Sequence, residues 1–474
     1  MRRRILVLNE RDLRHPQAGG AEVHCFEIFR RLVAAGDEVT LLASDFAGAS
    51  PEEMVQGIRV RRVGSRFGYY ARLPAAYRRL RREAPLDLVV EDLNKFPFFA
   101  RLWVREPVVV LAHHLFGRTA FRQVAFPIAA ATVAAEWLVP RLYRGLPVVA
   151  VSASTRDELT RGGLRPTDVR VIPNGLDHAH YRPGPGPRAA SPTVLALGRV
   201  EPYKRVDVLV DAVAALPGVR LVVAGTGTGL GAVRARVAAR DVEDRVEVRG
   251  AVDEEEKVRL LQTAHVVASA SEKEGWGLTV LEAAACGTPA VATDVPGLRD
   301  AVRDGETGLL VRPGDVPALA AALRRVLEDE GLRERLGAAA LRWAARFTWD
   351  GVAAGRGRDR LRPVDADDAR RNLGEARCPV AFPAARVEHG AAAGARRGKT
   401  VGGKVTLEVD CEAALRRRQP LAGVRGAPGG HARPATAARS GTAPRASSST
   451  SANRAITSSS LSRTKPRGWR IRGS

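Results

Sequence analysis

The feature that most constrains this chain is a run of short apolar segments alternating with helical patterns, and the alternation occurs twice. In the first half the apolar runs fall at residues 5–8, 38–43, 58–63, 86–90, 108–112, 148–151 and 169–172, with amphipathic segments between several of them, notably 21–35 and 155–161. In the second half they fall at 194–197, 220–224, 246–248, 266–268, 290–292 and 309–311, accompanied by helical patterns that include 206–216, 254–264 and 317–327. This is the signature of repeated βαβ units. The two halves meet at Tyr181-Arg182-Pro183-Gly184-Pro185-Gly186-Pro187, which neither a helix nor a strand tolerates. The pattern predicts an α/β protein with two doubly wound, Rossmann-like domains facing across a cleft. Their expected limits are 1–181 for the first domain, 182–192 for the linker and 193–346 for the second. A C-terminal helix returning to the first domain is expected at 347–362. Parallel sheets bind ligands at the carboxyl ends of their strands, so the chemistry is sought in the cleft.

A chain of 474 residues with 45% apolar content can bury two such cores. Cys25, Cys286, Cys378 and Cys411 are scattered, with neither metal-ligand spacing nor a disulfide framework, which fits a reducing cytoplasm. The opening Met-Arg-Arg-Arg-Ile-Leu-Val-Leu-Asn has an apolar run too short for a signal peptide and reads as a first buried strand. No stretch reaches the ~20 apolar residues that span a bilayer.

The net charge of +23 invites a nucleic-acid reading, but the charge is unevenly placed. Residues 363–474 hold 21 Lys or Arg against 8 Asp or Glu, so more than half of the excess sits in under a quarter of the chain. That segment is rich in Arg, Ala, Pro, Gly and Ser, lacks apolar periodicity, and is expected to be a disordered basic tail. A tail that binds an acidic surface, or a non-functional extension, are the other readings of it.

Chemistry concentrates in a few places. Glu274-Gly275-Trp276-Gly277-Leu278-Thr279-Val280-Leu281-Glu282 sets two carboxylates eight residues apart around a glycine-flanked helix start. Glycine lets backbone approach a ligand, and a helix start offers unpaired N–H groups to an anion. Counted as helix, the spacing rises about 12 Å, the order of a sugar-to-ribose span across a diphosphate. The plain alternative is a pair of helix-start acids acting as caps. Gly19 and Gly20 open a helix after the first strand, which suits phosphate but lacks a full dinucleotide motif. Gly198-Arg199 through Lys204 delivers two cations to a strand's carboxyl edge, where they could neutralise a leaving diphosphate or merely form a solvated basic loop. His113 and His114 end an apolar run at another such edge, and no companion ligands suggest a metal.

Together these residues resemble a retaining glycosyltransferase of the GT-B fold, family four, over roughly residues 1–360. The E-x7-E element from Glu274 to Glu282, the Gly198-Arg199 to Lys204 element and Val171-Ile172-Pro173-Asn174-Gly175-Leu176-Asp177 carry the resemblance. It implies a catalytic set of His113, Glu274, Arg199 and Lys204. Arg199 and Lys204 would hold the donor diphosphate, Glu282 the ribose and Glu274 the transferred sugar. Gly19, Gly20, Gly275, Gly277, Leu278 and Thr279 would complete the donor site. His113 matches the family's histidine better than His114, and Trp276 stands where the family more often has Phe. No cofactor and no metal are expected, the nucleotide-sugar being a substrate. The reaction implied is transfer of a hexose from a UDP or GDP sugar to a glycan or lipid-linked acceptor, by a same-face displacement in which the leaving phosphate takes the acceptor proton.

The acceptor is harder to read. Residues 69–82 mix aromatics with cations, first as a solvated charged helix and second as a basic amphipathic surface in peripheral contact with anionic membrane. Residues 121–142 are apolar enough to cover a groove or to be a buried helix. The expected location is the cytoplasm, with the inner membrane face as the alternative. Specific nucleic-acid binding is not expected. A tail-driven nucleic-acid binder and a GT-B relative such as a nucleotide-sugar epimerase are the competing functions.

Overall fold

The computed structural model describes residues 2–65 and 68–354. The basic tail expected over 363–474, and residues 355–362 before it, lie outside the described residues. In the N-terminal part, strands β1 (Arg4–Leu8), β2 (Glu38–Ala43), β3 (Glu52–Val55), β4 (Ile58–Arg62), β5 (Leu88–Leu93), β6 (Val108–Ala112), β7 (Val148–Ala150) and β8 (Val169–Val171) form one sheet, ordered β3-β4-β2-β1-β5-β6-β7-β8. Every neighbouring pair is parallel except β3 with β4. The second sheet is wholly parallel and runs β11-β10-β9-β12-β13-β14. Its strands are β9 (Thr193–Leu197), β10 (Arg220–Ala224), β11 (Val246–Gly250), β12 (Val266–Ser269), β13 (Ala290–Thr293) and β14 (Gly308–Val311).

The apolar runs are continuous because both faces of each sheet are covered. In β1, Leu6 and Leu8 pack with Tyr69, Leu73 and Tyr77 on one side, while Ile5 and Val7 pack with Phe26 and Phe29 on the other. The period of two in a strand sends alternate residues to opposite cores. In β9 the same division sends Val194 and Ala196 to one cluster and Leu195 to another. A buried leucine such as Leu6 contributes roughly 2–5 kcal/mol against truncation to alanine.

Chain order reverses between β1 and β5 in the first sheet and between β9 and β12 in the second. Segments leaving the carboxyl ends at these switch points diverge and leave a crevice, and both crevices open on the same cleft. The chain then doubles back. Leu176 N–H donates to the Phe347 carbonyl at 3.1 Å, and the short helix Trp349–Ala353 packs Trp349 and Val352 against Ile172. Asp350 meets Arg31 of the helix Gly20–Ala34 at 2.7 Å.

Strand β3 is the one strand that the alternation did not announce. Its sequence is Glu-Glu-Met-Val at the sheet edge, where Glu52 and Met54 face water and only Val55 is buried, so it carries no apolar run. It is joined to β4 through Gln56 and Gly57, both with positive φ, at 50° and 82°.

Candidate active site

The cleft holds a cavity of about 1300 Å³, and all eleven site residues expected from the sequence line it: Gly19, Gly20, His113, Arg199, Lys204, Glu274, Gly275, Gly277, Leu278, Thr279 and Glu282. Leu278–Ala285 is a helix, and Gly277 begins it at φ 80°, a left-handed conformation that suits glycine. No side chain caps this start, and since Val280 N–H already donates to the Gly277 carbonyl at 3.0 Å, it is the Leu278 and Thr279 amides that are left to whatever enters the cleft. One expectation needs correction. Glu274 to Gly277 is not helical, so the eight-residue spacing is not a helical rise and its estimate of about 12 Å has no basis in the fold.

The two carboxylates stand in different surroundings. Glu274 Oε1 is in direct contact with Lys204 Nζ and accepts a hydrogen bond from Ser271 Oγ at 2.7 Å. Burial lowers the Lys204 pKa, but the adjacent Glu274 carboxylate outweighs it and holds the ammonium above the usual lysine value. Glu282 is buried and meets Lys257 Nζ at 3.0 Å. That ammonium also donates to Tyr181 Oη at 2.7 Å, and the Tyr181 hydroxyl donates to Glu254 at 2.9 Å. Here too burial lowers the Lys257 pKa and the carboxylates, Glu282 first, raise it further. Lys257, Tyr181 and Ser271 were not among the expected residues. Lys257 sits in Glu-Glu-Glu-Lys-Val-Arg, whose charges read as a solvated helix face, and nothing in the spacing links it to Glu282.

The two halves approach closely at the site. A Cβ on Gly19 would lie 3.5 Å from Arg199 Nε, and one on Gly275 would lie 2.9 Å from the His113 carbonyl oxygen, so only glycine fits without displacement at Gly275. Arg199 makes no ion pair with any described residue, so its guanidinium is open to an anion in the cavity. Lys273 meets Glu158 at 2.8 Å and Ser154 N–H donates to Asp300 at 3.1 Å, both bridging the two halves.

His113 and His114 differ in role. His113 Nε2 lies 2.9 Å from Oδ1 of the fully buried Asp92, and the other oxygen of Asp92 accepts from Asn9 Nδ2 at 2.8 Å. The His113 ring meets the buried His24 edge-on at 5.1 Å. Burial, and then His113, holds the His24 imidazole well below the ordinary histidine value. His114 is held down to about 3 by burial and then by Lys273, His113, Lys204 and Arg199. It is therefore the neutral imidazole, on the side of Lys273, Lys204 and Arg199. Within Glu91 to Lys95, alternate side chains part company. Glu91 turns inward to accept from Phe98 and Ala100 N–H at 2.8 and 3.0 Å, Asp92 faces His113, and Lys95 reaches the cleft beside Glu22 at 3.2 Å. Among the described residues no group of three or more His, Cys, Asp or Glu side chains is arranged to hold a metal.

Two parallel-sheet domains facing across a cleft, with cations and carboxylates at their carboxyl edges, define the GT-B class of sugar-transferring enzymes. The family model described as Glycosyl transferases group 1 matches residues 179–343, and that described as Glycosyltransferase Family 4 matches residues 18–180. Among curated proteins, the D-inositol 3-phosphate glycosyltransferase of Salinispora tropica is 32% identical over 381 residues, covering 70% of this chain and 79% of that one. The protein of the same name from Streptomyces bingchenggensis is 32% identical over 385 residues, covering 71% and 83%. Among solved structures, sucrose-phosphate synthase from Thermosynechococcus elongatus superposes with a TM-score of 0.65 at 24% identity, over 74% of this chain and 96% of that one. Anabaena HepE in complex with UDP and glucose gives 0.61 at 21%, over 74% and 97%. The chain belongs to glycosyltransferase family 4. It is a retaining glycosyltransferase that uses a nucleotide-sugar donor.

Proposed function

We propose that the cleft transfers a hexose from a UDP or GDP sugar to a hydroxyl of a glycan or lipid-linked acceptor. The observation that carries this reading is a pair of lysine-held carboxylates, Lys204 with Glu274 and Lys257 with Glu282, on the cavity that also contains the uncapped helix start at Leu278. In this reading Arg199, Lys204 and the helix start take the diphosphate, because departing negative charge is best met by fixed cations and oriented amides. Glu282 takes the ribose hydroxyls and Glu274 those of the sugar, while Gly19, Gly20, Gly275, Gly277 and Thr279 let the donor lie close to the backbone. His113, oriented by Asp92, faces the sugar.

The bond from the anomeric carbon to the phosphate oxygen breaks as the acceptor oxygen forms its bond on the same face. The acceptor proton passes to the departing phosphate oxygen, so no protein base is required. Glu274 and Glu282 sit with separate lysine partners and do not face one bond, unlike the paired carboxylates of glycoside hydrolysis.

A second acceptor reading comes from the curated relatives, which are named D-inositol 3-phosphate glycosyltransferases. Lys95 and Arg11 line the same cavity and could meet an acceptor phosphate. The test is to offer UDP- and GDP-hexoses, UDP-glucose first, with D-inositol 3-phosphate, oligosaccharides and lipid-linked sugars in turn. Product mass and the anomeric coupling constant are then read. A new α-glycoside from an α-linked donor is expected; release of free sugar alone from every donor and acceptor would overturn the reading.

A further inference from the structure

The solvent face of one helix lacks the charge that a helix meeting water normally carries. Eight large apolar side chains are exposed among the described residues, and six of them, Leu102, Phe121, Phe126, Ile128, Trp137 and Leu138, lie between positions 102 and 138. Phe126 is 74% exposed and Trp137 63%. In the helix Phe126–Leu142, Ala129, Glu136, Val139 and Pro140 turn inward, while Pro127, Ala131, Ala134 and Leu138 form an outward stripe with Phe126 and Trp137 beside it. An amphipathic surface helix would place polar groups on that stripe. A contiguous apolar patch of this kind marks an interaction surface.

The surrounding charge has one sign. Between residues 99 and 147 the charged side chains are six arginines, at 101, 105, 118, 122, 141 and 144, and two glutamates. All six arginines are exposed, and of them Arg122 is already paired with Glu272 from outside the segment. Both glutamates are turned in: Glu106 accepts from Tyr77 Oη at 2.6 Å, and Glu136 accepts from Gly117 N–H at 2.7 Å. Arg141 lies over the Trp137 ring at 3.6 Å, an exposed aromatic and cation side by side.

We propose that this face rests on an anionic membrane surface, with Phe126 and Trp137 entering the headgroup boundary and the arginines meeting lipid phosphates. Aromatic rings and arginines are the side chains that favour that boundary, and each basic residue near it adds about 1 kcal/mol of attraction. The chain lies on the surface and does not cross it through this face, since no helix among the described residues is long and apolar enough to span a bilayer. A second copy is the poorer occupant: a two-fold contact through this patch would set arginines against arginines. The helix Tyr69–Glu83 does not compete, because its Tyr69, Leu73, Tyr77 and Leu80 are buried and its exposed face is charged. The same segment continues into the cleft, where Val124, Ala125, Ile128 and Thr132 line the cavity. A membrane-bound enzyme would thus hold its cleft mouth beside lipid-linked acceptors, a consequence that rests on the proposed transferase function, whereas membrane binding itself does not.

The full chain is floated with vesicles of phosphatidylcholine alone and of phosphatidylcholine with phosphatidylglycerol, beside the double variant F126S/W137S. The wild type is expected to float with the anionic vesicles only, and the variant to bind at least about tenfold more weakly, since two aromatic anchors are lost. Its melting temperature and nucleotide binding should be unchanged, because neither residue lines the cavity. Equal flotation of both proteins would assign binding to another part of the chain and overturn the proposal. So would no flotation of the wild type, or a wild-type dimer that F126S/W137S converts to monomer in sedimentation. Nucleotide binding is read separately, so a failure here leaves the transferase reading standing, and the reverse.

Discussion

Lys204 Nζ is hydrogen-bonded to Glu274 Oε1, so the cation proposed to meet a leaving diphosphate and the carboxylate proposed to hold the sugar begin as partners. Their side chains are only 23% and 16% exposed, so removing either leaves the other poorly solvated. In the proposed reading, donor binding divides this pair between its two ends.

It follows that K204A should lower kcat by about 10²–10³, the usual cost of losing one charge-stabilising group. E274A should lower it as well. The double variant should be little worse than the weaker single one, because the two residues act as a unit. Steady-state kinetics on the four proteins measures the coupling; strictly multiplicative losses would show the contact to be incidental.

Glu282 answers to a different parameter. With Lys257 at 3.0 Å and Tyr181 behind it, it is pre-positioned to accept hydroxyl hydrogen bonds. E282A should weaken binding of the nucleoside diphosphate by about 10–100-fold, the worth of charged hydrogen bonds at ~1.5–3 kcal/mol. The effect should appear in KM more than in kcat. K257A should move in the same direction, and calorimetric titration reads both.

Asp92 is fully buried 2.9 Å from His113 Nε2, which in the proposed reading makes it a positioning residue. Burial holds its carboxyl above the usual range, against the opposing pull of His113. D92N should lower kcat by about 10–100-fold, by analogy with the loss of other groups that orient a functional histidine. Nucleotide affinity should be unchanged. Loss of affinity equal to the loss of kcat would assign Asp92 to folding instead.

Stability should fall with acidity through the histidines. His114 is held down to about 3 in the fold against 6.5 in the free side chain, so between those values the unfolded chain binds the extra proton. Stability therefore rises with pH across that window and is lost as pH falls. His24 acts in the same sense. Melting curves of wild type and H114N from pH 7 to 5 should show a steeper loss in the wild type. Parallel curves would mean that His114 titrates normally.

Much of the fold was legible because buried parallel strands leave uninterrupted apolar runs, as in Val108–Ala112, whose five residues are all buried. Strand β3 was not, because Glu52 and Met54 point to water and only the Gln56-Gly57 turn marks the hairpin. At the site, the glycines around Trp276 exposed Glu274 and Glu282 to a reader, since close backbone approach needs them. Their partners stayed hidden. Lys257 is 25 residues from Glu282 in sequence, and Tyr181 belongs to a stretch that reads as a linker, so only folding unites them. Of the two adjacent histidines only the family resemblance favoured His113; their different surroundings, Asp92 beside His113 and cations around His114, come from the fold. Residues 121–142 could be read as a groove cover or a buried helix. The fold makes 126–142 a helix with one buried face and one exposed apolar face.

The measurement that bears most directly on the donor site is calorimetric titration of UDP, GDP, ADP and their hexose conjugates into the wild type, E282A and K204A. At least one nucleotide is expected to bind the wild type, and both substitutions to weaken that binding by about tenfold or more. Binding to none of them, or binding that neither substitution changes, would contradict the proposed donor site.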